Sequence, residues 1–232
     1  MISKHFILTN PLTRRLYPMF LHHLDGQNIE RKLQEFALEE TARFVAAEMK
    51  GVPSFKTDFA LLQHALQSAK LDDDGLICEF GVFKGTTINY IASLTKKVAH
   101  GFDSFEGLPE TWRPNFEKGR FRLPALPRVR GNVRLHKGWF EDSLPSFLKA
   151  NLQKVSLLHV DCDLYSSTKT IFRLFRDRIR SGTVIVFDEF FNYPGWQDGE
   201  YKAFNELIAD TGWKFKWLGY CCFHEQAAVV IQ

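Results

Sequence analysis

The spacing of apolar residues changes near Gly75, and the chain reads differently on either side of it. Before that point, Ile29, Leu33, Phe36, Ala37, Phe44 and Val45 recur at helical spacing with charged residues between them, which predicts an amphipathic helix over 29–49 packed on another element. A second helix is predicted from Thr57 through Phe59, Leu62, Leu66 and Ala69, stopped by an Asp72-Asp73-Asp74-Gly75 turn. After Gly75, short apolar runs alternate with helical stretches. Strands are predicted at 76–80, 98–102, 133–136, 155–160 and 183–187, and helices at 86–94, 144–152, 167–179 and 199–210. Two consecutive strands, 213–218 and 223–231, close the chain. Such a series predicts an α/β fold: a mostly parallel seven-stranded sheet, antiparallel at its last strand, with helices on both faces. Residues 1–55 would form a helical extension and 56–232 one domain.

The stretch 104–132 breaks the alternation. Most connections in compact domains are short, so one of this length points to function or disorder. It carries Arg113, Lys118, Arg120, Arg122, Arg128 and Arg130, and four prolines limit regular structure. We read it as a basic flap over the sheet edge, where Arg120, Arg122, Arg128 and Arg130 would attract an acceptor bearing phosphate or carboxylate.

Composition narrows the setting. With 232 residues, 45% of them hydrophobic, the chain can bury one substantial core. Its net charge of +3 gives no case for a nucleic-acid or membrane-surface partner. No run approaches about 18 apolar residues, and the N-terminus, with His5, Arg14 and Arg15, lacks an apolar leader core, so a soluble cytoplasmic protein is expected. Cys78, Cys162, Cys221 and Cys222 have no zinc-site spacing and read as reduced, mostly buried thiols.

The chemistry gathers at strand ends. In an open α/β sheet, ligands bind beyond the carboxyl ends of the strands where strand order reverses. The segment Cys78-Glu79-Phe80-Gly81-Val82-Phe83-Lys84-Gly85-Thr86-Thr87 links the first of these strands to its helix, and its E-x-G-x-x-x-G spacing departs from the G-x-G-x-x-G that cradles a pyrophosphate. A ligand without pyrophosphate but with a sulfonium and an ammonium group, S-adenosylmethionine, suits an acid such as Glu79. Asp103, ending the next strand, would accept hydrogen bonds from ribose hydroxyls. Asp161 and Asp163, then Asp188 and Glu189, end two further strands on the same rim. Crowded carboxylates need a cation, a proton or hydrogen bonds, and an oxygen-rich set favours Mg²⁺ over zinc.

The strings CEFGVFKGTT, GFDSFEGLPE, HKGWFEDSLP, LLHVDCDLYSST and VFDEFFNYPGW, in that order, resemble the macrocin O-methyltransferase (TylF-type) family. The resemblance implies the Rossmann-like fold of class I S-adenosylmethionine-dependent methyltransferases. It implies that Glu79, Gly81, Val82, Gly85 and Thr86 line the methionine end and that Asp103, Ser104 and Phe105 hold the ribose. Gly138, Trp139 and Phe140 would lie against adenine, and Asp161 would also touch the cofactor. It further implies a metal held by Asp161, Asp188 and Glu189, where Glu189 departs from the family's Asp-Asp pair. The acceptor it implies is a small hydroxylated molecule such as a sugar or glycosylated natural product.

Asp161 is the expected catalytic group, as base or through the metal that activates the acceptor hydroxyl. His136, His159, Tyr165 and Tyr193 are lesser candidates for proton transfer, with His159 read as a structural histidine inside an apolar strand. Phe190, Phe191, Tyr193 and Trp196 offer an acceptor pocket or a hydrophobic loop anchor. The apolar face of the 29–49 helix offers a surface for a second copy of the chain. Competing readings are a nicotinamide-dependent oxidoreductase on a similar sheet and a cofactor-binding protein without turnover.

Overall fold

A computed structural model describes residues 28–69 and 74–232. Asp72 and Asp73 of the expected turn, and His5, Arg14 and Arg15, lie outside the described residues. Helix α1 spans Ile29–Glu48 and α2 spans Asp58–Ser68, with strand β1, Ser54–Phe55, between them. Then come β2 (Leu76–Phe80), α3 (Thr86–Ser93), β3 (Ala99–Asp103), β4 (Val133–Lys137), α4 (Phe140–Ala150), β5 (Val155–Val160) and α5 (Tyr165–Phe175). The series closes with β6 (Val184–Phe187), α6 (Glu200–Thr211), β7 (Phe215–Cys221) and β8 (Ala227–Ile231).

The eight strands form one sheet in the order β1-β7-β8-β6-β5-β2-β3-β4. Only the two pairings made by β8, with β6 and with β7, are antiparallel. The seven expected strands are present with the last reversed, and β1 adds a short edge by pairing parallel to β7 at Ser54↔Tyr220 and Phe55↔Cys221. Residues just before 56 therefore belong to the sheet.

Side chains alternate between the two faces of a strand. On β2, Leu76, Cys78 and Phe80 enter one apolar layer, together with residues of α1, α4, α5 and α6, while Ile77 enters another, built with α2 and α3. Glu79 falls on the α2/α3 face by the same alternation. On β5, Leu158 and Val160 join the first layer and Leu157 the second, so His159 shares a face with Glu79. The layers account for the apolar period in the sequence.

Helix α1 departs from its expected packing. Ala37 and Thr41 are buried and Phe44 and Val45 pack on the core, but Ile29, Leu33 and Phe36 are 75%, 45% and 50% exposed. Thr41, a polar residue outside the apolar pattern, is buried because its Oγ1 accepts a hydrogen bond from the Asn192 amide at 2.9 Å.

The 104–132 segment folds as irregular turns with one isolated bridge, Arg113↔Phe116. Its far end is clamped by Asn132, whose Nδ2 donates to the carbonyls of Ala92, Thr95 and Lys97 at 2.9, 3.0 and 3.1 Å. Its near end is anchored by Asp103, described below. No helix among the described residues is long and apolar enough to cross a membrane.

Candidate active site

Strand order reverses between β2 and β5, and the candidate site lies beyond the carboxyl ends of the strands there. The parallel ladder runs one residue past each strand. Gly81 N donates to Phe102 O, Asp161 N to Phe80 O and Asp188 N to Val160 O, each at 2.9 Å, and Gly138 N to Asp103 O at 3.0 Å. These bonds extend the sheet's ladder to the first residue of the loops after β2, β4, β5 and β6.

A cavity of about 450 Å³ opens over this rim. Of the expected residues, Gly81, Val82, Thr86, Asp103, Ser104, Gly138, Trp139, Phe140, Asp161 and Glu189 line it. Gly81 has φ +94°, and a Cβ there would overlap the Asp161 carbonyl oxygen, so the two loops can approach only at glycine. The indole of Trp139, 38% exposed, forms part of the wall at the end of β4. From the flap, Gly107, Leu108, Pro109 and Phe121 contribute the facing side.

Four expected site residues stand elsewhere. Glu79 is 1% exposed and is not on the cavity wall: its Oε2 lies 3.2 Å from His159 Nδ1 inside the α2/α3 layer. Its position one residue before the strand end turns it into the sheet face. Gly85, at φ +78°, starts α3 with its Cα facing Val129 and Pro127, and its role is the turn. Phe105 is buried in the α2/α3 layer. Asp188 is not among the lining residues: its side chain is 26% exposed, and Gln226 Nε2 donates to its Oδ1 at 3.2 Å.

Asp103 is on the wall, but its carboxylate is mostly engaged. Its Oδ2 accepts from the amides of Val82 and Phe83 at 2.9 and 2.8 Å, and its Oδ1 from Phe105 N at 2.6 Å. A carboxylate has about four acceptor positions, so one remains for a ligand hydroxyl. The bonds also hold Phe83 and Phe105 at φ +44° and +56°.

The carboxylates gather as the strand ends require. Burial raises the Asp161 carboxyl well above its ordinary range, and Asp188 and Glu79 add to the effect. Burial likewise raises Asp163 to about 7, with Asp188 adding and Arg113 opposing. Glu189 and Glu200 are raised by burial and by Asp188. Glu200, fully buried at the start of α6, accepts from Glu189 N at 3.1 Å through Oε2, and its Oε1 has no partner. Nothing in the sequence around Glu200 marks it, because only the turn after β6 brings it beneath Glu189.

Three ligand atoms suited to a cation converge at one point: His159, Asp161 and Asp188 each offer one within 4.8 Å of the others. Glu189 is not among them. Glu79 and His159 meet as a buried pair at 3.2 Å. Burial raises Glu79, while for His159 burial acts downward and is outweighed by the hydrogen bond and charge of Glu79 and by Asp188.

Most of the other candidates are accounted for by packing. His136 Nε2 lies 3.0 Å from His100 Nδ1 between β4 and β3. Tyr165 bonds Glu206 and Lys169 and is not on the wall. Phe190, Phe191 and Trp196 are buried against α1, with Phe44 5.6 Å from Trp196 and 6.4 Å from Phe190, so they anchor the loop, while the buried Tyr193 ring lies 5.8 Å from Trp112 of the flap and its hydroxyl has no partner. Arg113 stacks on Trp112 at 3.9 Å and pairs with Glu225, while Arg120 lies over Phe116 and Phe121. None of the flap arginines lines the cavity. Lys84 does.

The sheet order, the glycine turn at the reversal and the reversed last strand define the class I methyltransferase fold, Rossmann-like in its layers. Residues 78–190 match a family described as a methyltransferase domain. A curated relative from Streptomyces olivaceus, 8-demethyl-8-(2,3-dimethoxy-alpha-L-rhamnosyl)-tetracenomycin-C 4'-O-methyltransferase, is 27% identical over 158 residues, covering 56% of this chain. The chain thus matches 58% of that relative's length. Among solved structures, a calicheamicin methyltransferase superposes with a TM-score of 0.62 at 22% identity, over 88% of this chain and 93% of that one. The O-methyltransferase NovP gives 0.60 at 18%, over 74% and 78%.

The cavity residues fit S-adenosylmethionine. A wall without Cβ at Gly81, a remaining acceptor on Asp103 and an exposed indole at Trp139 suit a ribose flanked by a flat heterocycle. Carboxyl groups at Asp161, Asp163 and Glu189 suit the positive sulfonium end.

Proposed function

We propose that this protein is an S-adenosylmethionine-dependent O-methyltransferase acting on a small hydroxylated molecule. The observation that carries the proposal is the pairing, within one cavity, of a glycine turn at the strand-order reversal with carboxyl groups on the neighbouring strand end, Asp161 and Asp163. S-adenosylmethionine supplies an electrophilic methyl group when bound. The chain's own part is to hold the acceptor oxygen in line with it and to receive the hydroxyl proton, a task for Asp161 and Asp163. Val82, Thr86, Ser104, Gly138 and Phe140 complete the cofactor's surroundings, and the flap residues Leu108, Pro109 and Phe121 cover it.

The finer reading is a TylF-type enzyme whose acceptor is a sugar or a glycosylated natural product. The relative from Streptomyces olivaceus methylates a hydroxyl of such a compound by its name, and the sequence strings support the same class. Lys84 is the cation best placed to meet an acidic acceptor group.

Calorimetry with S-adenosylhomocysteine tests the proposal. Binding is expected, and Asp103→Ala should weaken it by about 1.5–3 kcal/mol, the range for hydrogen bonds to a charged group. A folded protein that takes up no S-adenosylhomocysteine at millimolar concentration would refute it.

A further inference from the structure

His159 and Glu79 are a buried ionisable pair with no place in the cofactor cavity. They are 2% and 1% exposed, and they sit in an apolar layer where two aliphatic side chains would pack at lower cost. Their geometry has a direction. The Nδ1 edge of the imidazole is held by Glu79 Oε2 at 3.2 Å, while Nε2 points to the rim, 3.9 Å from Asp188 Oδ1. That last separation is too long for a hydrogen bond. With Asp161 it completes a group whose ligand atoms lie within 4.8 Å of one another. Two ligands opposite each other across an ion with bonds near 2.1 Å stand about 4.2 Å apart, so a small shift closes the group on a cation.

Glu189 takes no part in this group. Its amide is bound by Glu200, and its Oε2, in a residue 8% exposed, is buried without a hydrogen-bond partner. The longer glutamate leaves the third ligand position to another residue.

We propose that the cation site of this protein consists of His159, Asp161 and Asp188, with Glu79 as the positioning residue for His159, and that it takes a divalent first-row transition ion such as Mn²⁺ through a nitrogen ligand. A hydrogen bond from Nδ1–H to a carboxylate fixes the tautomer whose Nε2 carries the lone pair, the arrangement that orients ligating histidines in metalloproteins. An imidazole shifts preference from magnesium, which favours an all-oxygen set, toward the transition series. The use of the ion in activating an acceptor hydroxyl rests on the methyl-transfer reading. Its binding does not.

The test uses the full chain, stripped of metal and titrated with Mn²⁺. Because carboxylate sites also bind Mn²⁺ above Mg²⁺, affinity order alone does not decide, and the deciding signal is nitrogen coupling in the pulsed electron paramagnetic resonance spectrum. Wild-type protein should show nitrogen modulation from one imidazole. His159→Gln should abolish it, and Glu79→Gln should weaken Mn²⁺ binding about 10- to 100-fold. The wild-type spectrum is decisive even where a variant fails to fold. Bound Mn²⁺ without nitrogen coupling, or no Mn²⁺ binding at millimolar concentration, overturns the proposal. Calorimetry with S-adenosylhomocysteine on the same samples separates the two readings: cofactor binding with no nitrogen-ligated ion removes only the metal site, and failure of both removes both.

Discussion

Two groups of titratable side chains on nearby strands answer burial in different ways. Between β3 and β4, His100 and His136 meet at 3.0 Å, with the His136 ring stacked 4.6 Å from Phe102 and edge-on to Phe147 at 4.9 Å. Burial lowers His100 to about 4, helped by His136 and Arg134, and burial also lowers His136. Beyond β5 and β6, burial raises Asp161, Asp163 and Glu189, and their mutual repulsion raises them further. In both places the medium favours the neutral form. Two imidazoles can satisfy each other with one hydrogen bond. A cluster of carboxyls leaves oxygen atoms such as Glu189 Oε2 without partners and opens on a cavity. A shifted titration marks burial, and shifted carboxyls gathered on a cavity wall mark the candidate for chemistry.

The largest effect should come from joining the rim to the loop that crosses it. Gly81→Ala adds a Cβ where the Asp161 carbonyl stands and does so at φ +94°, so S-adenosylhomocysteine binding should be lost and the melting temperature should fall. Equal substitution at Gly101 on β3 meets the ends of the Ile88 and Val82 side chains, which can move, and should cost about 1–3 kcal/mol in denaturant melts. If Gly81→Ala binds cofactor as well as Gly101→Ala, the rim is less rigid than its ladder implies.

Asp161→Asn comes next. It keeps size and removes proton affinity and charge, so turnover should fall about 100-fold or more while S-adenosylhomocysteine affinity changes little. Single-turnover kinetics beside calorimetry would show the split. Near wild-type turnover would shift the proton acceptor to Asp163 or Glu189.

The smallest effect separates the two groups by pH. His100 has its folded pKa below the ordinary 6.5, so the folded state binds fewer protons than the unfolded chain and stability is lost as pH falls from 6.5 toward about 4. Asp163 has its folded pKa raised from 3.8 to about 7, so its contribution is present at low pH and is lost as pH rises through that interval. His100→Phe should flatten the acid side of the stability curve and leave the rise-side loss intact. A His100→Phe curve identical to wild type would show that the histidine pair contributes nothing to acid sensitivity.

Much of the fold was legible because the core has two faces and each strand repeats with period two. Rim residues were legible for the same reason: Gly81, Asp103, Gly138, Asp161 and Asp188 each end a strand or follow one. What the period could not show is which way a residue near a strand end turns. Glu79 and Asp103 looked equivalent, yet Glu79 falls on the sheet face beside His159, a partner 80 positions along the chain. Asp103 reached the rim but is largely taken up by backbone amides, which leave no trace in residue type. Phe190, Phe191 and Trp196 could equally have lined a pocket, and it is their contacts with Phe44 of α1 and with rings such as Phe187, Tyr220 and Tyr201 that assign them to the core.

Asn132 and Asp103 tie down the two ends of the segment that covers the cavity, Asn89 grips it again at Arg128 and Arg130, and this confines any change of length to its middle. Between fixed ends, doubling a flexible loop costs only about 0.6 kcal/mol. The sheet beneath would not register such a change, since the three carbonyls gripped by Asn132 and the three amides gripped by Asp103 all lie outside the part being altered or at its margin. The middle of this cover is therefore the part of the cavity wall that tolerates a change of length with least disturbance to the strand ends beneath it.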